Sequence, residues 1–147
     1  MKRFNVRVYG VLVKETQLLV SDELIMGRMI TKLPGGGLEF GEGIAECIVR
    51  EFQEELSLPI QIKKHLYTTD FFVSSAFNPN SQVISVYYEV EPTVEMKIAT
   101  SHRKFDFGQK KEGAQSFRWI PLTALHENDF TFVIDQKVVN IIKSNFL

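Results

Sequence analysis

Glu51, Glu54 and Glu55 stand at spacing i, i+3, i+4. With successive residues about 100° apart around a helix axis, the three carboxylates share one arc roughly 100° wide and lie side by side. Like charges at that spacing repel. A solvated helix face would interleave Lys or Arg, whereas here only Arg50 lies nearby, with Glu46 and Gln53 next to it. The cluster therefore calls for a hard divalent cation, Mg²⁺ first and Mn²⁺ as the alternative, which takes oxygen ligands and keeps waters and substrate phosphates in its remaining positions. The preceding Pro34-Gly35-Gly36-Gly37 points the same way. Its glycines let the backbone take positive φ and approach a bulky ligand closely, and Pro34 stiffens the entry. Ile44, Ala45, Ile48, Val49, Phe52 and Leu56 fall on a neighbouring arc of about 140°, the expected core face.

Gly36, five residues, Glu42, seven residues, then Arg50-Glu51-Phe52-Gln53-Glu54-Glu55-Leu56-Ser57-Leu58 resembles the signature of the Nudix hydrolases. That signature fixes charged types at set spacings, so chance agreement is improbable. The resemblance implies a metal-binding loop-helix-loop with Glu51, Glu54 and Glu55 as metal ligands and Glu42 and Gly36 beside them. Arg50 would orient Glu51, and Arg50, Glu51 and Glu54 would be catalytic. Which carboxylate removes a proton from the attacking water stays open, because metal ligation and general base catalysis both need an ionised Glu in the same place. Glu112, in Lys110-Lys111-Glu112-Gly113 ahead of Trp119, resembles a distal acid of MutT-like members, with Glu89, Glu91 and Glu95 as weaker rivals. One position departs from the signature: Ser57 stands where the family usually has a Gly suited to a left-handed helix cap. Leu58-Pro59 is then expected to stop the helix.

The elements needed to hold this constellation follow from the rest of the chain. Phe4 to Val13 alternates as a first strand, Lys14 to Gln17 reads as a hairpin-like turn, and Leu18 to Asp22 returns, with Leu24 to Arg28 a looser connection. Gln61 to Phe72 and Val83 to Glu91 are β-rich and flank the turn-former cluster Ser74 to Ser81, so they should pair as a hairpin. Ser116 to Ile120 is a short strand. Asp135 looks like the N-cap of a last helix with an apolar stripe of Val138, Val139, Ile142 and Phe146. The pattern suits an α+β fold in which helices cover both faces of a mixed sheet. The Nudix resemblance implies the same α/β/α sandwich, with substrate held over strands and loops outside the signature.

At 147 residues with no evident linker or repeat, the chain is expected to form a single domain, 1–147. A formal charge of -1 gives no global basic field, which disfavours a duplex nucleic-acid binder but leaves a small-molecule nucleotide open. The one cysteine, Cys47, excludes an intrachain disulfide and a cysteine-based zinc site and fits a cytoplasmic protein. Lys2 and Arg3 before an apolar stretch imitate a signal peptide, but Arg7 interrupts it, and no run approaches the roughly 20 residues of a membrane span. The edges expected of a small mixed sheet make a homodimer reasonable.

Substrate contacts are expected from Gly35 and Gly37, from Arg103 and Lys104 on phosphates, and from Phe71 or Tyr87 by stacking on a base. Tyr87 and Tyr88 must face opposite sides of a strand. Cys47 has no nearby His to activate it and reads as a small hydrophobe, and His65, His102 and His126 show no ligand spacing. The expected activity is Mg²⁺-dependent hydrolysis of a diphosphate bond in a nucleoside diphosphate linked to another group, by water attack at phosphorus without a covalent intermediate. A MutT-like nucleoside triphosphate pyrophosphohydrolase is the first choice, with ADP-ribose or a nucleotide sugar close behind. Val73 and Ser74 stand where ADP-ribose-cleaving and dinucleoside-polyphosphate-cleaving relatives often carry Pro and Tyr. The alternative is a nucleotide sensor that keeps the fold without turnover.

Overall fold

The computed structural model describes residues 1–147. Its elements are β1 (Arg3–Val11), β2 (Val13–Lys14), β3 (Gln17–Ile25), β4 (Arg28–Lys32), β5 (Gly35–Gly37), α1 (Ile44–Leu56), β6 (Ile60–Thr68), β7 (Ser81–Pro92), β8 (Gln115–Pro121) and α2 (Val133–Phe146), with a 3-10 turn at Glu127–Asp129. They form two compact units, one of residues 1–11 and 35–96 and one of 12–34 and 97–147. The class is α+β, with one long helix in each unit.

In the first unit the strand order is β5-β1-β7-β6. The β1/β7 pair is parallel, from Arg3↔Ser81 to Val11↔Glu89, and the other pairs are antiparallel, so this sheet is mixed. The expected hairpin of β6 and β7 forms, but β6 ends at Thr68 and leaves Phe71 in the following loop. The glycine run is not a loop. Gly35, Gly36 and Gly37 pair antiparallel with Tyr9, Val8 and Arg7 as an edge strand.

Helix α1 crosses this sheet with Phe52 over Gly10, where an added Cβ would lie 2.4 Å from the ring. Its buried residues are Cys47, Ile48 and Phe52, while Ala45 is exposed and Val49 is 39% exposed. The buried face is thus rolled toward Cys47 relative to the arc expected from apolar residues alone. The backbone clearance at Gly10 and Gly36 seats Phe52 and Glu51 on the sheet and turns Ala45 and Val49 outward.

In the second unit β3 is central, with β2 and β4 along one side and β8 along the other, all antiparallel. Two tight turns set the registers. Glu15 and Thr16 (φ 52° and 61°) join β2 to β3, and Met26 and Gly27 (φ 50° and 74°) join β3 to β4. Two successive positive φ values match the twist of a hairpin, so Leu24 to Arg28 is a strand end and a turn rather than a loose connection. The expected first strand is divided at Leu12, its last part serving as β2 in this unit. Helix α2 starts earlier than its sequence suggests, with Phe132 at the N-cap and Asp135 buried inside the first turn. Ile134, Val138, Val139 and Ile142 form its buried stripe. No helix is long and apolar enough to cross a membrane.

Candidate active site on the acidic helix

The segment entering α1 is shaped by its own acids. Glu42 Oε1 accepts from the Glu39 N–H at 3.0 Å across a turn containing Gly41 at φ +98°, and Glu46 Oε1 accepts from the Gly43 N–H at 2.9 Å. Glu46 thereby satisfies a donor at the helix start and places negative charge at the favourable end of the dipole. At the other end Ser57 itself takes the left-handed cap conformation, φ 50° and ψ 37°. Its N–H donates to Gln53 O at 3.0 Å and the Leu58 N–H to Phe52 O at 3.4 Å. The left-handed cap therefore survives the loss of glycine, and Pro59 is not its sole terminator.

Arg50 is the hub of the site. Its Nε and Nη2 grip both oxygens of Glu42 at 3.0 and 2.8 Å, and Nη2 also donates to the Gly37 carbonyl at 3.1 Å. Nη1 meets Glu51 Oε1 at 3.1 Å and Glu54 Oε2 at 3.2 Å, with Glu39 Oε1 at 3.7 Å. Four carboxylates thus share one guanidinium, whose planar fork suits such multiple contact. The Arg50 hydrogen bonds, reinforced by the Glu39 backbone, hold the Glu42 carboxyl at about 2. Reciprocally, Glu42 pushes Arg50 up from its ordinary value. Burial, followed by the neighbouring Glu42, raises the Cys47 thiol to about 12. With Sγ 3.5 Å from the Gly37 carbonyl, Cys47 is a packed thiol rather than a nucleophile.

The acids of the triad are not equivalent. Glu51 is 14% exposed and rests against Gly36, where an added Cβ would come within 2.4 Å of its Oε1. Gly35 fits β1 as closely, since its Cβ would lie 2.1 Å from the Val8 carbonyl. Glu54 is 58% exposed, and Glu55 is half-buried with its Oε2 enclosed. No basic residue occupies the last turn of α1, although the negative end of the helix dipole lies there. Carboxylates in excess beside a glycine cradle are the donor type that a hard divalent cation takes. No three acids are gathered at metal-ligating geometry, and Glu51 and Glu54 both rest on Arg50 Nη1.

Of the other expected residues, Tyr87 is fully buried, with the Tyr9 and Tyr67 rings 5.4 and 6.3 Å away. It fills the core of the first unit and leaves no ring face for a base, so the stacking role expected of it is corrected. Phe71 is half-buried in the loop after β6. Glu112, Arg103 and Lys104 belong to the second unit. There the Glu112 carboxylate accepts from the N–H groups of Met26 and Gly27 at 2.6 and 3.3 Å and braces their hairpin turn. Arg103 is 82% exposed and pairs with Asp106 at 3.0 Å, and Lys104 Nζ lies 5.2 Å from the Phe105 ring centre. The Arg50 contact with Glu39 was missed, and its only sequence signal is a carboxylate three residues before Glu42.

A model of the NUDIX domain matches residues 1–139. The chain belongs to the Nudix family. Among solved structures, the Nudix chain is similar to the MutT protein of Methanosarcina mazei Go1 at 15% identity and TM-score 0.70, covering 98% of this chain and 96% of that one. It is similar to the E. coli ORF135 protein at 11% identity and TM-score 0.69, covering 97% and 91%. An ADP-ribose pyrophosphatase from Streptococcus suis follows at 12% identity and TM-score 0.60, covering 96% and 90%. Likenesses at these identities show the fold, and the family match carries the class: a Nudix hydrolase, in keeping with phosphoanhydride hydrolysis on small nucleotide substrates. Enzymes of the family generally use divalent metal ions.

Proposed function

We propose that this Nudix hydrolase cleaves the diphosphate bond of a nucleoside diphosphate linked to another group, with Mg²⁺ as its cation. The observation that carries the reading is the sharing of Arg50 among Glu39, Glu42, Glu51 and Glu54 beside the Gly36 cradle. Glu51, Glu54 and Glu55 would hold the cation, with Gly36 and Glu42 alongside. When bound, a divalent cation neutralises phosphate charge and lowers the pKa of a coordinated water. Arg50, anchored by Glu42 and the Gly37 carbonyl, holds Glu51 at a fixed angle. Of the two proposed metal ligands that Nη1 contacts, Glu54 is 58% exposed against 14% for Glu51, and it is the one we assign to accept a proton from an attacking water. Glu112 keeps a proposed part as a distal acid.

A nucleoside triphosphate, as for a MutT-like enzyme, is the first substrate class, and ADP-ribose or a nucleotide sugar the next. The test is Mg²⁺-dependent product release across nucleoside triphosphates, ADP-ribose, nucleotide sugars and dinucleoside polyphosphates. A Glu54→Gln, Glu55→Gln double variant runs beside it. Metal-dependent turnover that the variant loses is the expected result, and the products identify the bond broken. Absence of turnover on every class, together with tight calorimetric binding of one nucleotide, would overturn the reading.

A further inference from the structure

A guanidinium carries five N–H groups, and in the resting structure all five of Arg50 are in use. Nε donates to Glu42 Oε2, Nη2 to Glu42 Oε1 and the Gly37 carbonyl, and Nη1 to Glu51 Oε1 and Glu54 Oε2. Glu39 Oε1 stands 3.7 Å from Nη1, within ion-pair range but too far for a hydrogen bond. No N–H is left for it. The Glu39 backbone is nevertheless fixed at that place by two bonds: its N–H donates to Glu42 Oε1 at 3.0 Å, and its carbonyl accepts from the Glu42 N–H at 3.3 Å. Glu42 is itself gripped by Arg50. A main chain tied to the anchor of Arg50 thus carries a carboxylate that is 68% exposed and can close on Nη1 by side-chain rotation alone.

Nη1 differs from the other two nitrogens in what it holds. Both of its acceptors, Glu51 and Glu54, are acids assigned above to the cation, whereas Nε and Nη2 rest on Glu42 and Gly37. An acid oxygen that turns from Nη1 to a cation strands an N–H on a guanidinium only 23% exposed, and a donor left without an acceptor opposes binding of that cation. Resting on the hydrolase reading, we infer that Glu39 is a positioning residue. Its carboxylate accepts the Nη1 hydrogen bond that a cation ligand gives up, and so keeps Arg50 oriented while the acids turn. The proton stays on nitrogen throughout, and only its acceptor changes.

The test is the Mn²⁺ affinity of the full chain, read from the free ion by electron paramagnetic resonance with no nucleotide present. Glu39→Met removes the acceptor and should weaken Mn²⁺ binding by about threefold to tenfold, the contribution of one hydrogen bond. Glu39→Gln removes the charge but keeps an amide oxygen that accepts from Nη1, and should restore most of the affinity. In chelated buffer both variants should unfold at the wild-type urea midpoint, because Glu39 makes no hydrogen bond to Arg50 in the resting structure. Wild-type affinity in Glu39→Met would overturn the inference, as would equal losses in the two variants, the mark of charge alone. A wild type that takes up no Mn²⁺, or a urea midpoint already lowered without cation, would overturn it as well. Metal-dependent turnover with undiminished Mn²⁺ affinity in Glu39→Met sinks this inference and leaves the hydrolase reading standing. The graded loss of affinity without turnover on any substrate class does the reverse.

Discussion

The two units treat their acids in opposite ways. In the second, Asp22 is fully buried and every donor around it is matched: Arg118 Nε and Nη2 at 2.6 and 3.2 Å, Thr31 Oγ1 at 2.7 Å and the Phe105 N–H at 3.1 Å. Glu23 next to it pairs with Lys32 at 2.9 Å. Each of these two acids has its own cation. In the first unit Glu39, Glu42, Glu51 and Glu54 share Arg50 alone. Acids that are each matched serve the fold, whereas acids in surplus create a local demand for positive charge. That demand costs the resting structure a little and would be met by the cation proposed above.

The largest effect expected from this contrast is on stability. Asp22→Ala strands Arg118, Thr31 and a backbone N–H together, so urea denaturation should show a loss of about 3–5 kcal/mol. Glu54→Gln in metal-free buffer should stay within about 0.5 kcal/mol of wild type, because it removes repulsion as well as an exposed ion pair. An equal loss in both variants would erase the distinction between the units.

Activity should move the other way. Glu54→Gln should lower turnover by roughly 100-fold or more, while any folded fraction of an Asp22 variant keeps its Mg²⁺ response. Mg²⁺ at about 100 times its Kd should raise the apparent stability of the wild type by about 2.7 kcal/mol. A Glu51→Gln, Glu54→Gln double variant should lose most of that gain, as read by thermal melts with and without chelator. An undiminished shift in the double variant would place the cation elsewhere.

The Glu42–Arg50 pair gives a pH signature confined to the first unit. Its folded pKa of about 2 lies below the ordinary 4.5, so the stability it contributes is fully present above the ordinary value. That contribution is lost as pH falls through the folded one. In chelated buffer, denaturation curves between about pH 4.5 and 2 should steepen this loss in the wild type relative to Glu42→Gln. Parallel curves would mean that Arg50 does not hold Glu42 in solution.

Much of the first unit was legible because chemistry and periodicity coincide there. The spacing of Glu42, Arg50, Glu51, Glu54 and Glu55 defines both the helix and the hub. Long-range pairing was not legible: nothing local announces that Gly35–Gly37 pairs with β1, or that β1 runs parallel to β7. The roll of α1 depends on what an absent Cβ permits at Gly10 and Gly36, and a helical wheel carries no such information. The burial of Tyr87 is hidden from the sequence for a related reason. Strand alternation says that it faces away from Tyr88 but not that Tyr9 and Tyr67 close over it.

The smallest expected effect lies at Ser57, immediately beyond the triad. A left-handed conformation in a non-glycine residue carries strain of roughly 1–2 kcal/mol, partly offset because glycine has more freedom to lose on folding. Ser57→Gly should therefore stabilise the chain by about 0.5 kcal/mol, measured by urea denaturation. The capping bonds to Gln53 and Phe52 are already made, so the carboxylates have no reason to move, and turnover and the Mg²⁺ shift should match wild type. A gain confined to the metal-bound form would instead show that the cap changes shape when the surplus charge is neutralised. The serine would then be a determinant of cation affinity rather than a tolerated departure from the signature.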